Sequence, residues 1–258
     1  MADHIQLHQG WMRNFKNDNK DGEQVYCFNV SNQDFNDGNN IISKGQIGSF
    51  KIKSLGALSN YYDRNFEHYL DSKWESKFGD LNKYIKTELK KNLTKIELSD
   101  EQIKFIKKFM ALNMSRSLFM QELLIKQAKN PFELIGIREI TPLATIDVGI
   151  KLFEDKNIQF LRNNTSIGFV LPSMSYYYVL TKYESTPIIV LSDKLAIRFI
   201  KKDNKEFDET VKCLILDIDS EENIKNYNYC AMITELSTNH QFLIAKHKKE
   251  LECLLYGE

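Results

Sequence analysis

The chain has 258 residues, enough for one large domain or two small ones and for a core that needs no disulfide or metal staple. Hydrophobic residues make up 42% and charged residues 27%, with 35 basic side chains against 35 acidic ones. That balance argues against a broad cationic surface for duplex nucleic acid, while a local basic groove stays compatible with it.

The four cysteines, Cys27, Cys213, Cys230 and Cys253, form no Cys-x-x-Cys pair, so they read as small hydrophobes in a reducing compartment. The opening residues lack a charged region followed by an apolar stretch, and no signal peptide is expected. No run approaches the roughly 20 apolar residues that span a bilayer. The expected location is the cytoplasm, with no membrane partner.

In chain order, residues 1–22 open apolar and aromatic and then turn polar. Alternation of Val25, Cys27 and Asn29 with Tyr26, Phe28 and Val30 predicts a strand over 24–30. A loop rich in Asn, Asp and Gly follows, and a second strand is expected over 49–55. From 64 to 91 the period becomes helical, through Phe66, Leu70, Trp74, Phe78, Leu81, Tyr84 and Ile85, with Gly79 the expected kink or break. Ser99 and Gln102 fit a capping box opening a long helix to about 129. Asn130-Pro131 and Thr141-Pro142 read as two further helix starts, the second helix ending near 155. Beyond 157 the chemistry turns to strands, expected at 176–182, 187–192, 195–200 and 211–218. Ser220 caps a helix over 221–236, a strand follows at 241–245, and a short helix ends the chain. This order predicts one α+β domain over 1–258, a central helical layer packed on a mainly antiparallel sheet formed by N-terminal and C-terminal strands.

Several polar groups stand out. His4 and His8 are four apart, a spacing that on a helix can hold a divalent cation; a solvated pair is the alternative. Glu67 and Glu75 lie two helical turns apart, suited to acid/base work, to a divalent cation or to ion pairs with nearby lysines. Arg116 sits on or beside an apolar helical face, where a cation requires an acidic partner or an anionic ligand; its planar fork suits phosphate and carboxylate. Ser192-Asp193 leaves an apolar strand, a common place for functional groups and equally for a turn. Arg64 and His68 are spaced one residue too closely for the Arg-x4–6-His motif of HEPN ribonucleases.

Taken together, His4…His8, Trp11-Met-Arg-Asn-Phe15, Asn60-Tyr-Tyr62, Glu67, Glu75, Arg116, Leu191-Ser-Asp193 and Asn226-Tyr-Asn228 resemble segments of a bacterial family, domain of unknown function 4238. The family histidine falls on His4 or His8. The family reads Thr-Ser-Asp-x-Pro where this chain has Leu191-Ser-Asp-Lys-Leu195. Proteins resembling this family occur beside phage-defence genes. The resemblance thus implies a hydrolytic effector acting on a nucleic acid or nucleotide, with a protein partner from a defence operon. His4 or His8, Glu75, Arg116 and Asp193 would be catalytic; Arg13, Asn60, Tyr62, Ser192 and Asn228 would bind substrate. The rival expectation is a non-catalytic sensor or binding module in which the same residues form a structural network.

Overall fold

The computed structural model describes residues 2–4, 9–18, 23–36, 40–55, 57–59, 64–91, 94–116, 126, 146, 150–180, 185–201, 213–237 and 241–256. These form an α+β architecture. Strands β2 (Gln24–Asn29) and β5 (Ile47–Lys51) pair with the C-terminal β13 (Phe242–Ala245) and with β8 (Leu171–Pro172). The result is an antiparallel sheet of order β5-β2-β13-β8. N- and C-terminal strands therefore do share a sheet. Val25 and Cys27 are fully buried, as their alternation implies. Two short antiparallel pairs accompany it: β1 (Ala2–His4) with β6 (Ala57–Ser59), and β3 (Phe35–Asn36) with β4 (Ile41–Ile42).

The C-terminal half builds a second sheet. It joins β7 (Lys156–Asn163), β9 (Tyr176–Leu180), β10 (Ser185–Ser192), β11 (Leu195–Lys201) and β12 (Cys213–Ile218) in the order β12-β7-β11-β10-β9. All neighbours are antiparallel except β12 and β7. The predicted single sheet is thus two, because β7 pairs with β11 and β12 of the C-terminal half instead of with the N-terminal strands.

The helices are α1 (Gln9–Met12), which continues as a 3-10 turn (Arg13–Phe15), α2 (Arg64–Leu70), α3 (Ser76–Leu89), α4 (Asp100–Arg116), α5 (Glu221–Ser237) and α6 (Lys248–Tyr256). α4 opens with the expected capping box: the Ser99 backbone N–H donates to Gln102 Oε1 at 2.8 Å and the Gln102 N–H to Ser99 Oγ at 3.2 Å. Gly79 does not break its helix. Instead α2 passes into α3 through a π-turn at Asp71–Glu75, with helical dihedrals on both sides.

Helices pack on both faces of the five-stranded sheet. On one face Arg162 Nη1 reaches the Leu89 carbonyl at the end of α3, at 3.1 Å. On the other, Arg198 hydrogen-bonds Tyr227 of α5. One buried apolar cluster runs through both sheets, α1, α3 and α4; a smaller one joins Leu70, Leu112 and Ile146, with Trp74 packed against both. Phe78 and Phe109 stack at 3.9 Å between ring centroids and clamp α3 to α4.

Candidate functional site

Glu75 closes the π-turn, and Arg116 stands where the described part of α4 ends. The helices bring the Arg116 Nη1 donor to 2.8 Å from Glu75 Oε1, with the side chains only 3% and 9% exposed. A guanidinium alone at this depth would cost several kcal/mol, and the carboxylate makes its burial tolerable. Nearby polar groups turn back on their own helix: Asn113 Nδ2 donates to the Phe109 carbonyl and Ser115 Oγ to the Leu112 carbonyl.

Glu75 also borders a cleft of about 390 Å³ between α1 with its 3-10 turn and one face of α3. Glu75, Gly79, Asn82 and Lys86 line it at spacings of four, three and four, a single helical stripe. Trp11, Phe78 and Phe109 form an aromatic wall; the Trp11 indole N–H is fixed on the Val190 carbonyl at 2.8 Å. Opposite, Asn14 Oδ1 accepts from Lys86 Nζ at 2.6 Å. Burial lowers the pKa of Lys86, and the negative charge of Asp193 opposes that shift. Lys83 pairs with Asp80 at the rim. Asn82 is only 6% exposed, and its enclosed Oδ1 has no hydrogen-bond partner among the described residues. A methyl group built at Gly79 would meet no atom within 4 Å, so the helix there faces open space.

No family model, curated protein or solved structure matches the chain.

Of the residues expected to act together, Glu75 and Arg116 meet directly, while Asp193 acts on the cleft at Lys86. The eleven residues from Glu75 to Lys86 put these two places about 16 Å apart along the helix, at opposite ends of one cleft. Arg13 lines the cleft but is held outward by Glu23, whose two oxygens accept from its Nε at 2.9 Å. Ser192 ends β10, and Asp193 and Lys194 form the β10–β11 turn. There the Lys194 N–H donates to Ser192 Oγ, and the Asp193 carbonyl accepts from the Phe169 N–H and from Asn163 Nδ2. Asn228 is committed elsewhere: its Nδ2 donates to the Gly168 carbonyl and its Oδ1 accepts from the Val170 N–H, both at 2.9 Å. His4 lies in β1, an extended strand, so the helical spacing proposed for it with His8 does not apply to its backbone. His8, Asn60 and Tyr62 lie outside the described residues, as does the Glu67 side chain. Among the described residues no group of three or more His, Cys, Asp or Glu could hold a metal ion. No described helix is long and apolar enough to cross a membrane.

Sequence reasoning missed Asn14, Asn82 and Lys86, which give the cleft its polar character. Asn82 carried a readable sign: it occupies the same helical phase as Phe78, Ile85 and Leu89, where an apolar residue is the rule. Reasoning also missed two acids in the body of the protein. Glu235 accepts from Ser173 Oγ and the Met174 N–H, and Glu250 accepts from the Gly168 and His247 N–H groups. Burial raises the pKa of both.

Proposed function

We propose that this chain is a cytoplasmic ligand-binding protein whose cleft between α1 and α3 takes a compact anionic molecule, and that the Glu75–Arg116 pair braces the cleft. The observation that carries this reading is Lys86: an ammonium group drawn into a cleft of about 390 Å³, with Asn14 bonded to it and Asp193 in electrostatic reach. An entering anion would offset the remaining desolvation of that ammonium. The volume falls in the range of small-molecule pockets, and the aromatic wall beside a few polar groups is their usual make-up. Four free cysteines support the reducing compartment.

A hydrolase would need Arg116 to grip a phosphate and Glu75 to move a proton. Each is already engaged by the other in a buried ion pair, which favours binding over turnover. The test is a thermal-shift and calorimetric titration with inorganic phosphate, ribose 5-phosphate, the four common nucleoside monophosphates and glutamate. At least one anion raises the melting temperature of the wild type. Lys86→Met weakens its binding about tenfold or more, and Gly79→Leu, which fills the open space over α3, abolishes it. An absence of binding by every probe overturns the reading, and so does equal affinity in Lys86→Met.

A further inference from the structure

Resting on that reading, we infer that Arg13 is a second, movable cation of the cleft, parked on Glu23 while the cleft is empty, and that the anion it receives is a phosphate group, free or esterified. Arg13 stands on the 3-10 turn that forms one wall of the cleft, and Lys86 stands on α3, the other wall. Asn14, the next residue along the turn, touches the Lys86 ammonium at 2.6 Å. The Arg13 Cα is therefore only about 3.8 Å from that of a residue already bonded to the ammonium.

Glu23 engages Arg13 through Nε alone. Among the described residues the two terminal amino groups of the guanidinium hold no hydrogen bond. The pair is 47% and 48% exposed, so it is screened and weak, and its release costs little. Lys86 bonds neutral Asn14 and forms no ion pair among the described residues. The cleft's own acids are committed elsewhere. Glu75 is held by Arg116, and Asp80 pairs with Lys83 at the rim, about 9 Å along α3 from Lys86. The charged donors left for a ligand are an ammonium on one wall and a planar fork on the other.

That set selects charge and shape. An incoming carboxylate would only replace Glu23 with its equal, so it gives Arg13 no reason to move. A phosphate carries a charge of about −1.5 to −2 at neutral pH and at least three terminal oxygens, so one can meet the ammonium while two meet the fork.

Calorimetry compares inorganic phosphate, ribose 5-phosphate and the four nucleoside monophosphates with glutamate, on the wild type, Arg13→Gln and Glu23→Gln. Both positions are about half exposed, so neither substitution opens the core. The wild type binds its best phosphate compound about tenfold or more tightly than glutamate, and in Arg13→Gln that preference falls to near one. Glu23→Gln frees the guanidinium and binds the same compound about two- to fivefold more tightly than the wild type. A pair that only shaped the wall would make both variants weaker, whereas a parked cation moves them in opposite directions. Retained preference in Arg13→Gln overturns this inference, and so does unchanged or weaker binding in Glu23→Gln. A wild type that binds glutamate as well as phosphate, through Lys86, overturns it while leaving the anion-binding cleft in place. If no probe binds at all, both readings fall.

Discussion

Replacing Glu235 by glutamine removes a pH dependence that the fold builds into its own stability. Glu235 is fully buried where α5 meets the β8–β9 corner, with Oε2 2.8 Å from Ser173 Oγ and Oε1 3.0 Å from the Met174 nitrogen. Burial pushes its pKa from 4.5 up to about 8, against the pull of those donors. At neutral pH the folded protein therefore keeps a proton on Glu235 that the unfolded chain releases. The folded state binds more protons than the unfolded state between pH 4.5 and about 8, so stability falls as pH rises through that window and levels off above it. At about 1.4 kcal/mol per unit, the whole window amounts to roughly 5 kcal/mol. Glutamine stays neutral and keeps an acceptor for the Met174 N–H, so Glu235→Gln lacks this slope. Urea denaturation at a series of pH values from 5 to 9 measures it. The variant gains on the wild type by about 1.4 kcal/mol per unit up to pH 8, and the gap is constant beyond. Parallel stability curves across pH 5 to 8 would refute the reasoning, since the carboxyl would then titrate alike in both states.

Arg116→Met leaves the Glu75 carboxylate buried without its guanidinium and lowers stability by about 3 to 5 kcal/mol; Glu75→Leu combined with Arg116→Met recovers most of it, as a double-mutant cycle in chemical denaturation would record. Gly168→Ala places a methyl 3.0 Å from Asp193 Cβ and 3.1 Å from Glu250 Oε1, so its melting temperature falls, by an amount matching about 1 to 3 kcal/mol. Ser99→Ala removes the hydroxyl that caps α4 and costs about 1 kcal/mol in the same measurement.

Local signs in the chain were readable where one residue type decides one conformation. The Ser99–Gln102 capping box, the Ser220 cap, whose Oγ accepts from the Asn223 N–H, and the alternation through Val25 and Cys27 all found their elements. β7 was harder because its alternation carries Gln159 and Arg162. These bond sideways to Arg198 and Asp217 on neighbouring strands, partners that no local window contains. Gly79 misled for a related reason: glycine is a helix breaker by propensity, yet tertiary packing through Phe78 and Leu81 holds the helix there. The Glu75–Arg116 pair was open to inference because a cation on an apolar face demands an acid. The cleft was not, since it depends on α1 lying across α3, and Trp11 achieves that by bonding a carbonyl 179 residues away.

The extra residue that the π-turn takes up has a geometric result. In an unbroken α-helix Phe66 and Leu70 would lie about 120° and about 80° around the axis from Phe78. The widened turn absorbs about 100° of that offset, so both come within about 20° of Phe78, and one edge of the rod meets Leu112 at one end and Phe109 at the other. Trp74 sits at the changeover and touches both apolar clusters. Deleting one residue between Asp71 and Glu75 would restore a uniform pitch and leave the two halves facing the same way.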